Sequence, residues 1–106
     1  MLNMEQRKIQ LLTQIREGTL KRLSIQDHFD THTDPAVYMR LRSDNAAGKD
    51  VPPESASLFE DLDHLHSLHR EGYIVTNPRE PRCDPLGRST DFHNLEITEA
   101  GRAILE

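Results

Sequence analysis

Leu65-His66-Ser67-Leu68-His69-Arg70-Glu71-Gly72-Tyr73-Ile74-Val75-Thr76 is the stretch that decides the fold. Up to Arg70 the apolar residues recur at spacings of three and four. Leu58, Leu62, Leu65 and His69 then fall within an arc of about 60° at roughly 100° per residue. This predicts a long helix that opens near Ser55, runs to Arg70 and buries that face, with Phe59, His66 and Leu68 flanking it. The opposite face carries Ser57, Glu60, Asp63, His64, Ser67, Arg70 and Glu71. Gly72 is a natural stop, and the β-rich Tyr73-Ile74-Val75-Thr76 begins a strand.

Toward the C-terminus, Asn77–Asp91 reads as a loop punctuated by Pro78, Pro81, Pro85 and Gly87. Phe92-His93-Asn94-Leu95-Glu96-Ile97 alternates as a strand returning antiparallel to 73–76. Thr98 can cap a last helix through Leu105, and Gly72 and Gly101 read as caps. Toward the N-terminus, Met4–Glu17 is amphipathic, with Met4, Lys8, Leu11, Leu12 and Ile15 on one arc. Lys8 can lie along that arc with its ammonium in water. Gly18 stops this helix. Leu20–Ile25 is either a short edge strand or an extended link. Asp34-Pro35 pairs a capping carboxylate with proline at the first helical position, so a further helix starts there. It is expected to turn Val37, Tyr38 and Leu41 inward and Arg40 and Arg42 outward. Ser43–Pro53 reads as a loop.

With 106 residues, the chain is expected to form one domain over residues 1–106. Apolar residues are 35% and charged residues 29% of the chain, and no apolar run approaches the ~18 residues a membrane span requires. The N-terminal residues lack the apolar core and cleavage site of a signal peptide, so a cytoplasmic protein without membrane contact is expected. One cysteine, Cys83, excludes an intrachain disulfide framework and a zinc ribbon. Net charge is −5, but it is unevenly spread. Residues 1–26 hold five basic groups (Arg7, Lys8, Arg16, Lys21, Arg22) against Glu5 and Glu17, whereas the rest holds eight basic and sixteen acidic groups.

The order helix, link, helix, longer helix, strand, loop, strand, helix resembles the winged helix-turn-helix superfamily. Leu65–Ile74 resembles the end of the third helix and the first wing strand. Leu95-Glu96-Ile97-Thr98-Glu99-Ala100-Gly101-Arg102 resembles the second wing strand entering a terminal helix, as in PadR-like and MarR-like regulators. The resemblance implies an α+β, mainly helical domain with a two-stranded β-wing. It also implies a small transcriptional regulator that places its third helix in the major groove of double-stranded DNA and acts as a homodimer. The chain departs from the pattern in the long Ser43–Pro53 connection and the proline-rich wing loop.

On this reading Arg40, Arg42 and Lys49 ahead of the third helix, and Arg79, Arg82 and Arg88 in the wing, contact phosphates. Ser57, His64, Ser67 and Arg70 face the bases. The alternative is a winged-helix module, an accessory or inhibitory adaptor, that binds a basic protein through Glu60, Asp63 and Glu71. The third helix supports this alternative, because carboxylates repel phosphate at close range.

His28 and His32, with Asp30 or Asp34, are spaced to share a helical face and hold a metal, but a polar capping loop accounts for the same string. His64, His66 and His69 point to different sides of their helix. Arg82 beside Cys83 would favour the thiolate of a redox sensor, although the thiol has no partner cysteine. No phosphate-binding glycine loop and no nucleophile elbow are present, so neither an enzyme nor a cofactor is expected.

Overall fold

The computed structural model describes residues 4–30, 32–77 and 80–106. Helix α1 (Met4–Glu17) buries Leu11, Leu12 and Ile15 and ends at Gly18, whose φ of 78° turns the chain so that the Thr19 and Leu20 amides reach the Gln14 carbonyl at 3.0 and 3.2 Å. Lys8 lies along this helix with its side chain mostly covered and its Nζ 3.8 Å from Glu71. Strand β1 (Leu23–Ser24) stays two residues long because Ser24 at once caps a 3-10 turn, Ile25–Asp27. Its side chain accepts from the Gln26 amide, while Asp27 accepts from the Ser24 amide at 2.9 Å.

Helix α2 (Pro35–Ala46) opens as expected, with the Asp34 carboxylate accepting from the Ala36 amide at 3.0 Å. It runs beyond the expected loop boundary at Ser43. Helix-favouring Ala46 and the absence of glycine or proline before Gly48 let the turn persist. Its inward face also differs. Val37 is 49% exposed, Tyr38 and Leu41 are half-buried against the core, and Arg42 is buried. Helix α3 (Pro53–Arg70) starts two residues before Ser55, near which the sequence places its opening. Proline at the first helical position has no amide needing a cap, so Ser55 is free to lie buried with its Oγ 3.0 Å from His28 Nε2. Leu58, Phe59, Leu62, Leu65 and Leu68 of α3 are buried, and α3 packs against both α1 and α2.

The expected single ribbon divides in two. Strand β2 (Ile74–Val75) pairs antiparallel with β5 (Glu96–Ile97), with Ile74 opposite Ile97 and Val75 opposite Glu96. The segment expected to be loop contains β3 (Arg82–Cys83) and the start of β4 (Ser89–Phe92), and these join β1 in a sheet of order β1-β4-β3. Phe92 therefore faces Leu23 and not the 73–76 strand. The break falls at Asn94, whose φ of 51° is tolerated by a short amide side chain, here donating from Nδ2 to the Asn77 carbonyl at 2.9 Å. This kink lets Phe92 and Leu95 both enter the core. Asp84 shapes the β3–β4 turn, accepting from the Leu86 and Arg88 amides at 2.9 and 3.0 Å.

Helix α4 (Glu99–Leu105) is capped by Thr98, which accepts from the Gly101 amide at 3.2 Å and donates to the Gly72 carbonyl at 2.7 Å. Gly101 lies within the helix and is not its cap. A Cβ there would stand 2.3 Å from the Tyr73 carbonyl oxygen, so glycine lets α4 sit directly on the chain leaving α3. The class is α+β, with four α-helices and small antiparallel sheets among the described residues.

Candidate nucleic-acid interface

Three elements meet at Ser89, which is fully buried on β4. Arg42 of α2 donates from Nη1 to the Ser89 carbonyl at 2.8 Å and from Nη2 to Asp63 of α3 at 2.6 Å. Its guanidinium lies 6.0 Å from the centroid of Phe59, a favourable placement for a desolvated cation. His66 of α3 places Nδ1 2.6 Å from Ser89 Oγ. At the turn, Arg88 donates from Nε to Asp84 at 2.8 Å and from Nη1 to Ser43 at 3.3 Å. Also on β4, Asp91 accepts from Ser24 Oγ of β1 and, at 2.8 Å, from Thr90. The Arg42, His66 and Arg88 contacts fix the β3–β4 hairpin to the α2–α3 pair, and Asp91 ties β4 to β1.

This arrangement divides the residues expected to touch phosphate. Arg40 on α2 and Arg82 on β3 are exposed, and neither makes an ion pair among the described residues. Lys49 is exposed, its Nζ 3.8 Å from Asp44. Arg42 does not point outward: it is 2% exposed and anchors α2 to α3 and β4. Arg88 is half-buried in its pair with Asp84. Arg79 lies outside the described residues. On α3, Ser57 and Arg70 are exposed and His64 and Ser67 half-buried.

The carboxylates divide as well. Glu60 is exposed, Asp63 is exposed but bonded to Arg42, and Glu71 is exposed beside Lys8. A further carboxylate, Asp61, binds Arg7 of α1 through two bonds of 2.8 and 2.6 Å. No sequence signal joins residues so far apart, whereas the Asp84–Arg88 spacing of four is a local pattern. The acidic face of α3 is thus largely neutralised by cations from α1 and α2.

Among the described residues, no three His, Cys, Asp or Glu side chains cluster so as to hold a metal, and His28 is engaged with Ser55. Cys83 is exposed on β3 as a free thiol. None of the helices described is long and apolar enough to cross a membrane. No protein-family model, no curated protein and no solved structure matches this chain.

The His66 imidazole is held below its ordinary 6.5. Burial is the main cause and the charge of Arg70 adds to it; Asp63 opposes, and His69 and Arg42 contribute further in the lowering direction. The unfolded chain therefore takes up this proton at higher pH than the folded one. Stability from neutral His66 is present above 6.5 and is lost as pH falls from there through the lowered value. Denaturant titrations from about pH 7.5 to about pH 5 should show wild type losing stability more steeply than His66→Gln. Parallel pH profiles would contradict this.

Proposed function

We propose that this chain is a winged helix-turn-helix domain that binds double-stranded DNA as a small cytoplasmic transcriptional regulator and not as an enzyme. The observation that carries the reading is the β1-β4-β3 sheet with its hairpin tied through Ser89 to α2 and α3. A hairpin fixed beside a helix pair offers two elements to a duplex at once, α3 for the major groove and the hairpin for the flanking backbone. The pairing of Asp61, Asp63 and Glu71 with Arg7, Arg42 and Lys8 weakens the local negative field of α3, within a net charge of −5 that already counts these cations. Arg40 and Arg82 then supply phosphate contacts, with Lys49 adding to them, and Ser57, His64, Ser67 and Arg70 face the bases. A homodimer follows on this reading, because one domain of this size spans too few base pairs for a specific site.

The test is anisotropy of a short labelled duplex titrated at several salt concentrations. Binding should weaken linearly on a log–log plot. Arg40→Ala/Arg82→Ala should flatten that slope by about 0.9 for each phosphate contact removed. Glu60→Lys should raise non-specific affinity. Absence of salt-dependent binding even at low ionic strength would overturn the reading. If, in addition, a basic protein partner is captured and then lost on Glu60→Lys, the protein-binding alternative takes its place.

A further inference from the structure

Of the five basic residues in 1–26, Arg7, Lys8 and Arg22 are ion-paired with Asp61, Glu71 and Asp27. The other two, Arg16 and Lys21, both line a cavity of about 530 Å³ between the end of α1, the β5 segment and α4. Arg102 of α4 lines it too, and none of these three cations makes an ion pair among the described residues. One carboxylate, Glu96, lines the same space, so the walls carry a positive excess on a molecule that is negative overall. The apolar lining is aliphatic: Ile15 and Leu95 are buried and Ile97 is half-buried, with no aromatic ring among the lining residues. The last-turn carbonyls of Gln14 and Ile15 already accept from the Gly18, Thr19 and Leu20 amides, which reduces their repulsion of an anion.

A partly open pocket with a volume within the ~300–1,000 Å³ typical of small-molecule sites, aliphatic residues in its lining and three exposed cations on its walls together define a ligand class. We propose that this cavity binds a small aliphatic carboxylate, with its chain against Ile15, Leu95 and Ile97 and its carboxylate among Arg16, Lys21 and Arg102. An alcohol of the same chain length would keep the apolar contacts but lose the charge-assisted hydrogen bonds. Inorganic phosphate would keep the charge and lose the apolar contacts. This inference does not depend on DNA binding.

The test uses octanoate, 1-octanol and inorganic phosphate as probes in amide NMR titrations of the full chain. Octanoate should produce saturable one-to-one shifts centred on Leu95, Glu96 and Ile97. Octanol and phosphate should each bind at least about ten-fold more weakly. Arg16→Gln/Arg102→Gln should weaken octanoate by about ten-fold at unchanged melting temperature, since both side chains are exposed. No saturable shift, octanol binding as well as octanoate, phosphate binding as well as octanoate, or an unaffected folded variant would each overturn the proposal. The comparison of the three probes on wild type stands even if the double variant fails to fold.

Discussion

Leu62→Ala should destabilise the protein by about 2–5 kcal/mol, the range for truncating a buried leucine. Leu62 is 0% exposed at the middle of α3, the helix that packs on both α1 and α2. Its side chain belongs to one continuous core with Leu11, Ile15, Phe59, Leu65 and Phe92. The less such a site collapses, the larger the cavity it leaves and the nearer the cost lies to the upper end of the range. Urea unfolding followed by circular dichroism would read the effect as a lower midpoint at unchanged slope. A loss below about 1 kcal/mol would mean that α3 is not the centre of the core.

Arg42→Ala should cost a similar amount, about 2–4 kcal/mol, although it removes a charged residue. Three things go at once: the buried stem, the bond to the Ser89 carbonyl and the bond to Asp63. The two partners left behind are not equivalent. Asp63 has a side chain 62% exposed and regains water, but the Ser89 carbonyl belongs to a fully buried residue and stays unsatisfied. Arg42→Met separates packing from polarity. It keeps most of the stem and deletes the desolvated cation, so it should cost less than alanine, about 1–2 kcal/mol. Equal losses for the two variants would assign the effect to the hydrogen bonds alone. Neither variant losing stability would return Arg42 to the outward face that the sequence suggests.

Asp63 illustrates how the two functional readings are coupled to the fold. Asp63→Lys would place a cation beside buried Arg42 and loosen the α2–α3 contact, so its effect on any partner would mix charge with unfolding. Glu60 is exposed and makes no ion pair among the described residues, which makes it the cleaner position for reversing charge on α3. Likewise Arg88 is a poor probe of phosphate contact, because it helps hold the β3–β4 turn through Asp84. The Asp84 carboxyl lies below its ordinary range despite burial, which pushes it up. The Arg88 amide and guanidinium and the Leu86 amide outweigh that penalty. The stability it contributes is present above the usual 3.8 and is lost as pH falls through the lowered value.

The sequence by itself determined α1 over Met4–Glu17, the opening of α2 at Asp34-Pro35, the buried leucines of α3, the β2–β5 pairing and the Thr98 cap. All but the β2–β5 pairing depend on interactions within a few residues, where helical period, capping oxygens and proline or glycine geometry act regardless of the rest of the chain. The tertiary structure alone decided which way Arg42 points, where the returning strand breaks and which cations remain unpaired. Arg42 is buried by partners 21 and 47 residues away, and Arg7 finds Asp61 across 54. A local pattern assigns every arginine to solvent, because burying its charge is costly without partners. Only the folded arrangement supplies those partners, and by consuming Arg7, Lys8 and Arg42 it leaves Arg40, Arg70 and Arg82 available on one set of elements and Arg16, Lys21 and Arg102 around the cavity.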